Sequence, residues 1–163
     1  MRVADDDCRE VPRGSESEVC VRTPLAIQGY YQSPQANEEF LQGGWCHTRI
    51  IGFLDDEGNL HVSGCKKNMV KSGGISVFPK EIEDALCKHP DVADAAVTGF
   101  NSQERDEAVK AFVVLDRGVE CDADKLIQFC KESLAPYKAP EVVEFLFTLP
   151  RTCLRKIDRG YWR

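Results

Sequence analysis

The sequence predicts an α+β fold, a small domain with helices packed on a short sheet, and three observations carry that prediction. Strand-like and helix-like segments alternate through the C-terminal half. Two of those segments place apolar residues at helical spacing, each behind a proline or an acidic start. Between them run short apolar stretches such as Phe112 to Leu115, long enough for buried strands and far too short to span a bilayer.

Taken in order, the chain opens with β structure. Glu18 to Arg22 is a short β-prone run that stops before Pro24, which cannot donate in a ladder. Ser33-Pro34 predicts a helix start, with Ser33 as N-cap and Pro34 in the first turn, continuing to Leu41 and ended by Gly43-Gly44. Ile50–Leu54 and Leu60–Val62 flank Asp55-Asp56-Glu57-Gly58-Asn59, so a hairpin is predicted there. The short polar stretch Cys65–Asn68 reads as a linker. Pro79 to Lys88 carries Ile82, Ala85 and Leu86 on one helical face. Ala95–Thr98, Val109–Leu115 and Val142–Phe147 read as strands, and Asp122 caps a helix to Ser133 with Leu126, Ile127 and Cys130 on its apolar face.

Composition narrows the function. The chain has 163 residues, 42% apolar and 29% charged, with a net charge of −6 spread through interleaved acids and bases. That balance repels a phosphate backbone, so no nucleic-acid partner is expected. The N-terminus turns acidic at once and lacks an apolar h-region, so no secretory signal is expected. Eight cysteines form no Cys-x-x-Cys pair, and His47, His61 and His89 do not stand at metal-ligand spacing with them. Reduced thiols, a cytoplasmic location and no metal site are the expectation.

Several motifs occur in one order: Gly29-Tyr30-Tyr31, Gly44-Trp45-Cys46-His47-Thr48, Asp55 to Gly58, Lys66-Lys67-Asn68-Met69, Ser72-Gly73-Gly74, Val77 to Glu83, Leu134 to Pro140, Leu149 to Thr152, and Lys156-Ile157-Asp158-Arg159. The series resembles the last third of the adenylate-forming superfamily, which includes acyl- and aryl-CoA synthetases, luciferases and peptide-synthetase adenylation domains. The details are more similar to fatty-acyl or aryl CoA ligases. The resemblance implies that residues 1–64 are the terminal β segment of a large N-terminal adenylating domain, 65–68 a hinge, and 69–163 a mobile C-terminal domain. It implies an AMP-forming ligase, in which acid, ATP and CoA give acyl-CoA, AMP and pyrophosphate. Magnesium would be held through the large domain, which is missing here and would be the chain's principal partner beside the acid and CoA. Without it the chain is not expected to be active alone, and its unpaired β edges favour self-association.

The resemblance also implies roles. Lys156 matches the adenylation lysine; a cation there lets a carboxylate approach the α-phosphate, worth about 4 kcal/mol per contact at about 4 Å and intermediate dielectric. Ser72, Gly73 and Gly74 match the loop lining the pantetheine channel, with Lys71 beside the phosphates, and Lys67 falls at the hinge. Two positions depart from the pattern. Ile50 stands where an aspartate grips the ribose, and Cys65 where an arginine does. Each lost charged hydrogen bond costs roughly 1.5–3 kcal/mol of nucleotide binding. Glycines are also replaced, at Arg49, at Arg155, and at Cys8, Ser17, Thr23 and Asp106. Two alternatives therefore stand beside the ligase: a non-catalytic module binding CoA or a partner, and a degenerate remnant.

Overall fold

The structure, a computed structural model, describes residues 1–101 and 107–162. The chain divides into two compact units, Met1–Lys67 and Asn68–Arg163.

The first unit is built on a five-stranded antiparallel sheet. Its strands are β1 (Arg2–Ala4), β2 (Ser17–Val21), β3 (Leu41–Gln42), β4 (Trp45–Leu54) and β5 (Leu60–Cys65). The long β4 is its axis. β2 lies along one side, with Ser17 opposite Gly52 and Val21 opposite Cys46. The other side is shared, β3 pairing at Cys46 and β5 from Ile50 onward. The core is thin: Val3, Ala4, Val19, Cys20, Cys46 and Ile51, with Glu18 and His47 buried among them.

Helix α1 (Pro34–Phe40) has proline in its first turn as expected, but Ser33 makes no side-chain cap and none of its residues is buried. Gly43-Gly44 does not end this helix. The pair forms the two-residue turn between β3 and β4, both at positive φ (56° and 77°) with Gln42 opposite Trp45, the geometry of a tight hairpin. A strand of two residues has no periodicity to betray it, which is why β3 escaped the sequence reading.

The second unit begins with a hairpin of β6 (Val70–Ser72) and β7 (Ile75–Val77). Helix α2 (Pro79–Leu86) follows, then β8 (Val92–Phe100), β9 (Ala108–Leu115), α3 (Ala123–Ser133) and β10 (Val142–Phe145). β9 is central, antiparallel to β8 and parallel to β10. A parallel neighbour needs a crossover, and α3 provides it. The Asp122 carboxylate accepts the Asp124 N–H at 3.1 Å, capping α3 as predicted.

Period-two alternation along β9 gives the sheet two buried faces. Val109, Ala111 and Val113 join Ile82 and Leu86 of α2 and Leu126 and Cys130 of α3 in the main core. Phe112 faces the other way, with Ala96 and Leu149. Trp162, in the closing 3-10 turn Arg159–Trp162, stacks on Phe112 with centroids 4.3 Å apart. Complete burial of Ile82, Leu86 and Leu126 is worth roughly 1.5–3 kcal/mol each. No helix among the described residues is long and apolar enough to cross a membrane.

Candidate active-site elements

Lys156 sits at the end of a tight hairpin. The Arg155 N–H donates to the Thr152 carbonyl at 2.8 Å, the Thr152 N–H donates to the Lys156 carbonyl at 2.8 Å, and Arg151 bridges Ile157. This pattern is a type I turn closed by a bulge whose fourth residue must adopt the left-handed conformation, where glycine is preferred. Here that residue is Arg155, at φ 60°. Asp55–Asn59 repeats the pattern with the glycine kept: the Gly58 N–H donates to Asp55 and the Asp55 N–H to Asn59, both at 3.0 Å, with Gly58 at φ 87°. The turn around Lys156 thus keeps the glycine geometry without the glycine. Arg151 steadies it, one guanidinium nitrogen donating to the Arg155 carbonyl at 2.8 Å and the other pairing with Asp94. The Lys156 side chain is exposed.

Three residues beyond Lys156, Arg159 anchors the tail. Its guanidinium meets both Glu83 oxygens, at 2.7 and 3.0 Å, and donates to the Val97 carbonyl. Glu83, buried in α2, also accepts the Val97 N–H at 2.8 Å. One carboxylate therefore ties α2, β8 and the segment after Lys156 together. Sequence reading noted Glu83 and Arg159 only as motif letters; nothing in their separation of 76 residues announces a pair.

Lys71, Ser72, Gly73 and Gly74 fall in the β6–β7 hairpin, with Ser72 opposite Ile75. Gly73 and Gly74 lie at φ 58° and 80°, and a Cβ on either would meet nothing within 4 Å. The turn joins two strands, and their backbone conformation by itself accounts for its glycines. Ser72 is buried, Lys71 is exposed, and the Lys71 N–H donates to Glu107 Oε2 at 2.8 Å. Lys67 lies in a 3-10 turn, Lys66–Asn68.

In the first unit, Ile50 and Cys65 are direct cross-strand partners on β4 and β5. The two replaced ribose positions therefore form one spot on the sheet. Arg49, just before it, holds φ 58° at a bulge in β4, and its N–H donates to Glu18 Oε1 at 2.7 Å. Ser17 and Thr23, also expected at glycine positions, are not at positive φ; Ser17 is an ordinary strand residue whose hydroxyl donates to the Ala4 carbonyl at 2.7 Å. Asp106 lies outside the described residues.

The spacing argument against a metal site missed one grouping. Among the described residues, ligand atoms of His89, Asp91 and Cys121 lie within 4.8 Å of one another, the fold bringing Cys121 up to the local pair His89 and Asp91. The Nδ1 of His89 already accepts the Asp91 N–H at 3.2 Å.

Residues 81–156, from α2 to the lysine of the closing hairpin, match the family described as the AMP-binding enzyme C-terminal domain. A long-chain-fatty-acid–CoA ligase of Escherichia coli O6:H1 is 40% identical over 158 residues, 97% of this chain and 28% of that protein. The chain belongs to the adenylate-forming superfamily. Solved structures agree. The amide bond synthetase McbA from Marinactinospora thermotolerans superposes with a TM-score of 0.92 at 32% identity, over 99% of this chain and 33% of that one. The o-succinylbenzoate CoA synthetase of Bacillus subtilis, solved with its acyl-adenylate intermediate, gives 0.90 at 32% identity, over 100% and 33%. This superfamily member thus spans only 28–33% of the length of these relatives.

Proposed function

We propose that the chain is the C-terminal portion of an AMP-forming carboxylic acid–CoA ligase and that Lys156 is its adenylation lysine. The observation that carries this reading is the closing hairpin, where an exposed cation stands on a turn braced by Arg151 and anchored by Arg159 on buried Glu83. A lysine on a backbone so held can bridge an acid carboxylate and the α-phosphate of ATP, at the cost of ordering only its own side chain. In the second step the Ser72–Gly74 turn would line the path of the CoA thiol arm. The open space around both glycines supports that, and Lys71 would sit beside the phosphates. Lys67 would be the hinge between the two presentations. Magnesium and the acid pocket would come from the large N-terminal domain, so the isolated chain would not turn over.

A second reading, a non-catalytic module that binds CoA or a partner domain, is favoured by one observation. Ile50 and Cys65 face each other where a nucleotide would need an acceptor and a cation, and they offer an alkyl group and a thiol, which never carries a positive charge. These residues do not fit a ribose. The discriminating experiment joins the chain to a separately made N-terminal ligase domain and compares it with the Ile50→Asp, Cys65→Arg double variant. The ligase reading expects ATP affinity to rise by about 10²–10⁴-fold in the variant, from roughly 1.5–3 kcal/mol per restored contact. Unchanged affinity would refute the ribose assignment. CoA binding by the isolated chain, with no adenylate formed in any mixture, would establish the second reading instead.

A further inference from the structure

The first unit holds a constellation that the ligase reading does not use. Cys8 is the fourth residue of a turn built like those at Gly58 and Arg155: its N–H donates to Asp5 at 3.0 Å, the Asp5 N–H donates to Arg9 at 2.9 Å, and φ is 61°. Its half-buried sulfur lies 3.5 Å from His47 Nε2 and 3.2 Å from Gln42 Oε1. The other ring nitrogen of His47, Nδ1, lies 3.4 Å from Glu18 Oε2. Glu18 is itself fixed, since its second oxygen accepts the Arg49 N–H at 2.7 Å. Thiol, imidazole and carboxylate thus stand in series, nucleophile to base to the group that orients the base. Four segments converge to make it: the 5–9 turn, β2, β3 and β4.

We propose that Cys8 is a modification site, a nucleophilic thiol served by His47 and Glu18 that undergoes exchange with small disulfides. Nε2 accepts the thiol proton, and the imidazolium so formed pairs with the Glu18 carboxylate 3.4 Å from Nδ1. The thiolate attacks one sulfur of the disulfide R–S–S–R; the Cys8 S–S bond forms as the original S–S bond breaks. The leaving thiolate takes the proton back from His47 and departs as R–SH, so one thiol and one disulfide give one mixed disulfide and one thiol.

The surroundings favour Cys8 over the neighbouring sulfur. Cys20 also lies by the His47 ring, 3.7 Å from Nδ1, but burial and then the Glu18 charge push its thiol up, so it stays protonated. The charges facing the site are largely paired: Lys66 bonds Asp6 at 2.7 Å and approaches Glu18 at 3.6 Å, and Arg49 pairs with Glu39. An open cleft of about 340 Å³ lies beside Cys8, its lining including Gln42 and His47, the two residues that touch the Cys8 sulfur.

The test uses the whole chain and the aromatic disulfide 5,5′-dithiobis(2-nitrobenzoate) at less than one equivalent, with the labelled cysteine mapped by mass spectrometry. Cys8 is expected to label first, ahead of the exposed Cys87 and Cys153. Its rate should change by less than about threefold between pH 6.5 and 8.5, where an unassisted thiol below its pKa gains roughly tenfold per unit. His47→Gln should slow Cys8 about tenfold and restore that slope while leaving Cys153 unchanged. First labelling at Cys87 or Cys153, or a Cys8 rate that climbs as steeply as theirs, overturns the proposal. So does a folded His47→Gln chain with undiminished Cys8 reactivity. If His47→Gln fails to fold, the site preference and pH profile of the unaltered chain decide.

Discussion

At the scale of single residues, the most informative feature is a set of side chains standing where the backbone asks for glycine. Cys8, Arg49 and Arg155 hold φ of 61°, 58° and 60°. Left-handed backbone costs an L side chain roughly 1 kcal/mol relative to glycine. Because the Asp55–Asn59 turn keeps its glycine, the molecule contains its own control. Cys8→Gly and Arg155→Gly should each stabilise their unit by about 1 kcal/mol, and Gly58→Ala should destabilise by a similar amount, as read by denaturant midpoints at constant m. Equal stability of all three variants and the parent would mean these turns are relaxed as they stand. Positive φ was legible at positions 49 and 155 because family motifs bracket them, whereas position 8 precedes the first of those motifs. Ser17 and Thr23 were misread, since a missing motif letter says nothing of φ in a strand or loop. Gln32, at φ 50°, gave no signal because glutamine, unlike glycine or asparagine, has no marked preference for the left-handed region.

At the scale of elements, periodicity located most of what matters. The α2 face, the capped α3 and the apolar β9 all follow from spacings that a packed sheet and helix impose. What it could not reveal is how the tail carrying Lys156 is held. The Glu83–Arg159 pair links residues far apart in sequence, and its worth comes from burial, which composition does not show. Glu83→Gln leaves the Arg159 guanidinium without its counter-charge. It should cost about 2–4 kcal/mol, somewhat less than the roughly 3–5 kcal/mol of a fully buried broken pair, because Arg159 keeps some solvent contact. Urea unfolding followed at Trp162 in a Trp45→Phe background reads the second unit selectively, since Trp162 stacks on Phe112. A cost below about 0.5 kcal/mol would show that the pair contributes no anchoring. The β6–β7 hairpin teaches a complementary lesson. Ser72-Gly73-Gly74 was read for what a thiol arm would need, yet positive φ at both glycines already accounts for them.

At the scale of the whole molecule, the chain spans 28% of its long-chain-fatty-acid–CoA ligase relative yet aligns across 97% of its own length. The superfamily was legible in the order of many short motifs, each weak and the series strong. The activity was not, because a catalytic lysine is defined by the domain it closes upon. Exposed Leu25 and Tyr31, 92% and 88% accessible, mark apolar surface on the first unit that a large N-terminal domain would be expected to cover.

The central claim is that this chain contributes the adenylating cation. The direct measurement is pyrophosphate release at saturating ATP and a long-chain acid, after mixing the chain with the separately produced N-terminal domain of the 40%-identical E. coli ligase. The account predicts release well above that of the N-terminal domain alone, on the order of a hundredfold, and a return to that baseline with Lys156→Ala. No stimulation by the chain, or full stimulation by Lys156→Ala, would contradict it.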